Sequence, residues 1–498
     1  MEAKEIRVRP LGESSGADSF ELSDMDHTMP KIYVQIAEIF ELAPDANRDA
    51  IVKSLAEGLA FALGQYPVLA GVLRMDASNG RMWVTKKQDS TVGLFVRDAS
   101  APGDLPSFDY LEANDFPIQL IDGHKVLPKI VTEKQLFSPL GDNADDDATV
   151  ISTFQITFIA GGLILAAAIH HNCSDGPGCN GFLTTWAENS AAAAQGEPFK
   201  PIDLANANRG QLSAPKPSPA RWKELDGKFP ILKNLGAPPP APPADFVMPN
   251  LKVRMWHVPR SRAAELKAAC APADKDKWVS TYDCIMALFW KTITRAKLPL
   301  LKPAMSKEVI MAHAVNTRNM LEPPLPDRFL GNAVALPRVS VGSIEELVRA
   351  EAEGENESSN LPQLAAAVRE SIRTITPQYA AELPEWVAGL EDRRYIAIAM
   401  DSFLGMDLAG TSWQAMTPYE QHDFGFGLPK AMRWPHPQFE GYVFVLPSRA
   451  AVKKNTNSGG GDNDEGLEIC VCLEESCHDR LLQDPELLRF ARPRGLNA

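Results

Sequence analysis

The chain has 498 residues, 45% of them hydrophobic and 23% charged, which is enough apolar material for a large core without disulfide or metal staples. Fifty Lys and Arg stand against 64 Asp and Glu, a net charge of −14. That balance argues against nucleic acid as a partner, since such affinity rests on basic side chains neutralising phosphates, while an anionic small molecule in a local basic pocket stays admissible.

Taken in chain order, the first residues carry no apolar signal core, and the expected setting is the cytoplasm. Asp45–Leu63 has helical spacing, with Ile51, Leu55, Leu59 and Leu63 a turn apart. Asp145-Asp146-Asp147 reads as a solvated acidic loop rather than a metal site. Val150–Ile169 predicts two buried strands turning at Gly161-Gly162, and its apolar run is too short for a membrane span of roughly 20 residues. A helix follows over Cys179–Ala194.

Forty prolines are unevenly spread, and their concentration in 214–244 reads as an extended crossover linker incompatible with helix. Ser280–Ala296 predicts a capped helix, Gly441–Leu446 and Leu467–Leu473 two strands, and Asp479–Ala491 a terminal helix. Between the strands, Lys453–Glu465 with Gly459-Gly460-Gly461 lacks the Lys-Ser/Thr of a phosphate loop and reads as a disordered insertion. The seven cysteines include no Cys-x-x-Cys pair, so they read as reduced thiols.

The strongest chemical feature is His170-His171-Asn172-Cys173-Ser174-Asp175-Gly176, between a buried strand and a helix. Consecutive strand residues face opposite ways, so only one histidine shares a given cleft. Imidazole is a natural base near neutral pH. The plain alternative is a pair of structural histidines at a strand end. A serine nucleophile would want Gly-x-Ser-x-Gly, which is absent, and Ser174 reads as a loop residue. His422 reads as a residue of the surface or of the site's surroundings.

His171-x-x-x-Asp175-Gly176 resembles the catalytic motif of the BAHD acyltransferases, which move acyl groups from coenzyme A thioesters to alcohols or amines. The same string also resembles condensation domains of nonribosomal peptide synthetases. Asp423-Phe424-Gly425-Phe426-Gly427 separates the two, being similar to the BAHD signature DFGWG with Phe426 in place of Trp. Further landmarks run along the chain: Tyr66–Gly71, Ser280–Asp283, Asn316-Thr317-Arg318 with Asn316 where Asp is commoner, and Gly331-Asn332. The flavour is that of the fungal branch, which includes trichothecene 3-O-acetyltransferase and related natural-product O-acetyltransferases.

The resemblance implies an α/β protein of two similar chloramphenicol-acetyltransferase-like domains with mixed sheets and an active-site channel between them. The halves would be 1–213 and 250–498, joined by 214–249, in a monomer. His171 would be the general base. Asp175 would be a structural partner of Arg318, beside Gly176. Trp413, in Thr411-Ser412-Trp413, would be an oxyanion donor or plain core packing. Asp423, Gly425 and Gly427 would shape a turn. Lys430 is a doubtful phosphate contact, because the lysine usual directly after DFGWG is missing. An acyl-CoA would be cosubstrate and a small-molecule alcohol the acceptor, with no permanent cofactor and no metal. The rivals are a condensation-like enzyme using carrier-bound donors and a catalytically silent binding protein.

Overall fold

Gly162–His170 is apolar at nearly every position, and Ser152–Ile159 alternates Phe154, Ile156 and Phe158 with the polar Thr153, Gln155 and Thr157; both strands are buried along their whole length. They pair antiparallel about a turn in which Gly161 has φ +76°, a conformation that favours glycine. The structure, a computed structural model, describes residues 2–12, 18–133, 149–237, 247, 249–349, 359–401, 404–436, 440–455 and 464–495. The acidic run Asp145–Asp147, the Pro238–Pro243 cluster and the glycines 459–461 lie outside the described residues.

The hairpin is the middle of a six-stranded mixed sheet. Its order is Lys4–Val8, Val92–Asp98, Ser152–Ile159, Gly162–His170, Tyr33–Glu41 and Ala431–Arg433. Only the second and third of these run parallel. The last strand comes from far downstream and pairs antiparallel with Tyr33–Glu41, so the chain crosses back to complete its first sheet.

A seven-stranded sheet follows the order Arg338–Ser340, Ile310–His313, Leu408–Ser412, Tyr442–Val445, Leu467–Glu474, Leu251–Val258 and Arg492–Arg494. Two of its pairings are parallel, Ile310–His313 with Leu408–Ser412 and the latter with Tyr442–Val445. Among the described residues both sheets are mixed, as the resemblance implies.

Helices Arg48–Gln65 and Gly176–Gln195 pack on the first sheet, and Gly58 lets them approach: a Cβ there would stand 2.4 Å from Ser190 Oγ. Thr281–Leu301 covers the second sheet, its start fixed by a reciprocal Ser280–Asp283 capping box. One apolar cluster joins Val34, Ile36 and Phe40 of the first sheet to Trp413, Phe424, Phe444 and Cys470, so the seam between the sheets is core.

Two expectations are corrected. The proline-rich stretch holds a helix, Pro219–Leu225, because its proline sits at the first helical position, where the missing N–H costs nothing, and Ser218 caps it. The terminal helix is two, Glu475–Leu481 and Pro485–Phe490, since Pro485 cannot continue a helix but opens one capped by Asp484.

Candidate active site

The strand Gly162–His170 delivers His171 to the end of the first sheet, where its backbone N–H donates to the Ile32 carbonyl at 2.7 Å. Two residues further on, Cys173 N–H closes a turn onto the His170 carbonyl at 2.8 Å. Asp175 then caps the helix Gly176–Gln195, accepting from Gly178 N–H at 2.9 Å. The helix starts at Gly176 rather than Cys179, because Pro177 and the aspartate cap make the glycine stretch its first turn.

The structure brings Asp175 to Arg318. The guanidinium donates to both carboxylate oxygens, at 2.7 and 2.8 Å, and Ala333 N–H donates at 3.0 Å. Burial alone would raise the Asp175 carboxyl, but Arg318 and the backbone donors hold it below the ordinary carboxylate range. Among the described residues no hydrogen bond joins this carboxylate to the His171 ring. Arg318 also donates to the carbonyls of Phe329 and Gly331, while Asn316 Oδ1 accepts from the Arg318 backbone at 3.0 Å.

The partner of the His171 ring is Asn332. Its Nδ2 donates to the His171 carbonyl at 2.8 Å and to Asp26 Oδ1 at 2.7 Å, two groups that only accept. The amide oxygen therefore faces His171 Nδ1, at 3.3 Å. An oxygen there requires the hydrogen on Nδ1, which leaves Nε2 as the basic nitrogen. Asp26 is fully buried and is held by Arg209 at 2.8 Å and by Ser23 through its hydroxyl and N–H, at 2.7 and 2.8 Å. Desolvation pushes the His171 imidazole below the usual histidine value, against the opposing pull of a hydrogen bond to its own carbonyl, Asp175 and Asn332.

Asp26 and Arg209 were not legible as site residues. Ser23-Asp24-Met25-Asp26 has capping-box spacing, which signals a local turn. Nothing local says that the turn supports an asparagine placed 161 residues beyond His171.

Trp413 follows the strand Leu408–Ser412, its N–H bonded to the Val445 carbonyl at 2.8 Å and its ring edge-on to Phe444. A Cβ on Gly176 would lie 2.9 Å from Trp413 Nε1, so the indole meets the start of the His-motif helix. The indole N–H makes no hydrogen bond to any described residue. Asp423 Oδ1 accepts from Gly425 and Gly427 N–H at 2.8 and 3.0 Å, and both glycines have φ near +100°: +99° and +103°. That carboxylate is occupied within its own turn. Lys430 Nζ stands 3.5 Å from Glu41.

His422 is not a surface residue: it is buried, with Nδ1 2.6 Å from Glu38 Oε1 and Nε2 3.2 Å from Thr184 Oγ1. Among the described residues no cluster of three or more His, Cys, Asp or Glu is arranged to hold a metal ion, and no helix is long and apolar enough to cross a membrane.

A family model described as the Transferase family matches residues 3–488. Acetyltransferase FGR3 of Gibberella zeae is 28% identical over 500 residues, covering 98% of this chain and 94% of its own length. Trichothecene 3-O-acetyltransferase TRI101 of Fusarium sporotrichioides is 23% identical over 496 residues, covering 96% and 98%. The crystal structure of F. graminearum TRI101 complexed with ethyl coenzyme A superposes with a TM-score of 0.74 at 19% identity, over 96% of this chain and 99% of that one. The mixed α/β fold is therefore shared with that structure.

Proposed function

The chain belongs to the Transferase family, among the BAHD acyl-CoA-dependent acyltransferases, and from that membership we propose that it transfers an acetyl group from acetyl-CoA to a hydroxyl of a specialised metabolite such as a terpenoid, alkaloid or polyketide, with His171 as general base. The observation that carries the reading is the Asn332 amide, whose two fixed acceptors put the hydrogen on Nδ1 and leave Nε2 free. Nε2 takes the acceptor's proton as its oxygen attacks the thioester carbonyl. The C–S bond of the tetrahedral adduct then breaks, and the leaving CoA thiolate takes the proton back from His171, which gives free CoA thiol and restores the neutral imidazole. General-base help of this kind is typically worth about 10²–10⁴-fold.

The oxyanion of the adduct needs a donor, and the Trp413 indole N–H, unbonded within the described residues and seated at Gly176, supplies it. Asp175 and Arg318 hold the turn after His171 and move no proton. We read 1–213 and 250–498 as the two halves about the channel, with Ala431–Arg433 lent to the first, in a cytoplasmic monomer. The seven free thiols fit that setting. The names of two relatives as acetyltransferases support acetyl as the group moved.

The test is thiol release from acetyl-CoA and longer acyl-CoAs with pooled hydroxylated natural products, for wild type and His171→Ala together. Acceptor-dependent release by wild type alone is expected, with the product found by mass shift. Near-wild-type turnover in His171→Ala overturns the mechanism. Transfer only from an acyl-loaded carrier protein favours the condensation-like reading. Tight acceptor binding without release from any donor favours the silent one.

A further inference from the structure

One face of the helix Gly176–Gln195 carries Gly176, Asn180, Thr184, Ala191 and Ala194. At 3.6 residues per turn these fall within an arc of about 80° and span about 27 Å. The segment 413–425 meets them in the order of its own sequence. Trp413 sits at Gly176. Thr417 N–H donates to Asn180 Oδ1 at 2.9 Å, and Asn180 Nδ2 donates to Thr417 Oγ1 at 3.2 Å. Gln421 and His422 reach Thr184 at 3.4 and 3.2 Å. Gly425 lies against Ala191 and Ala194, where a Cβ would come within 3.2 and 3.1 Å of them.

We propose that this helix face is a docking track that ties the position of the DFGFG segment to that of Trp413, and that His422 is the positioning residue that sets its register. The catalytic consequence rests on the reading of Trp413 as oxyanion donor. Both ends of the track are glycines in close contact across it, so a Cβ at either end would have to displace its neighbour, Trp413 at Gly176 and Ala194 at Gly425. Between them His422 bridges two elements of the first half: Glu38 on the strand Tyr33–Glu41 and Thr184 on the helix. Glu38 and His422 are both about fully buried, at 1% exposure each. Among the described residues Glu38 Oε2 has no hydrogen-bond partner, so this carboxylate is placed by His422. Thr184 donates to the Asn180 carbonyl at 3.0 Å, which links the histidine to the next contact toward Trp413. Phe424 then wedges the far end between Phe40 and Trp186. A slip at His422 would therefore reach Trp413 along a rigid helix, where misplacement of about 1 Å costs up to about 10²-fold.

The experiment labels the full-length protein with 5-fluorotryptophan and assigns the Trp413 ¹⁹F resonance by its loss in Trp413→Phe. Thr184→Val, of the same shape without the hydroxyl, and His422→Gln are compared with Thr184→Ser, each verified as folded by its melting transition. The Trp413 resonance is expected to move in the first two and to return in Thr184→Ser. In the thiol-release assay kcat should fall by up to about 10²-fold with KM for acetyl-CoA unchanged, again restored by Thr184→Ser. An unmoved resonance in both variants overturns the track. A moved resonance with wild-type kcat overturns its catalytic consequence. The ¹⁹F measurement needs no acyl donor or acceptor, so it decides the track even if the wild type transfers nothing.

Discussion

At His171 the sequence shows the proposed base but not what orients it. His171, Asp175 and Gly176 are legible because their spacing is local: a strand end, a turn and a helix cap within seven residues of chain. The Asn332–Asp26–Arg209 support is assembled from three distant segments, and no periodicity connects them. Two consequences belong here. Since desolvation holds the imidazole below its ordinary value, the neutral base persists through pH 7. The pH profile of kcat/KM should be flat from neutrality upward and fall only on the acid side, at a midpoint below about 6.5. Asn332→Leu removes the oxygen that fixes the Nδ1 hydrogen, and kcat should fall by about 10²-fold with little change in KM for acetyl-CoA. A midpoint above the ordinary histidine value, or full turnover in Asn332→Leu, would contradict this account of the base.

Among the elements, long periodic ones were legible and proline-marked ones misled. The hairpin and the helices Arg48–Gln65, Gly176–Gln195 and Thr281–Leu301 follow directly from apolar spacing and caps. Proline abundance hid the helix Pro219–Leu225, where position within the helix matters more than composition. Equally hidden was the reason for glycine at 176. Its φ is not in the left-handed region; the cause is the Trp413 ring arriving from the second sheet. Gly176→Ala keeps the helix start and adds one methyl group 2.9 Å from the indole nitrogen. Overpacking of this kind costs about 1–3 kcal/mol, and the indole must shift. The melting temperature should drop modestly while kcat falls much more, because the displaced group is the one proposed as oxyanion donor. Equal proportional loss of KM and kcat, or none, would argue that Trp413 only fills space.

For the molecule as a whole, the two signature motifs lie far apart in the chain and yet both meet one helix, so the seam between the sheets decides whether there is a site. Composition does not reveal what holds that seam, because the decisive groups are charges removed from water. Arg433, on the strand that crosses back, is fully buried and donates to both oxygens of Glu468 in the second sheet, at 2.9 and 3.1 Å, and to the carbonyls of Asp115 and Phe116 in the first half. Arg494 stands 3.2 Å from the same carboxylate and bonds Glu465 and Asp115. Burial would raise the Glu468 carboxyl, but Arg433, Arg494 and Arg449 hold it below the ordinary glutamate value. A carboxyl depressed in the folded state adds stability above its unfolded pKa of about 4.3, and that stability is lost as pH falls through the folded value. Glu468→Gln leaves three arginines around a neutral amide and should cost about 3–5 kcal/mol at neutral pH. The gap in melting temperature between wild type and variant should be widest near pH 7, begin to narrow as pH falls below about 4.3, and close only below the depressed folded value, where the wild-type carboxylate is itself protonated. A gap that stays constant across that range would mean that packing, not the buried charge, holds the two sheets together.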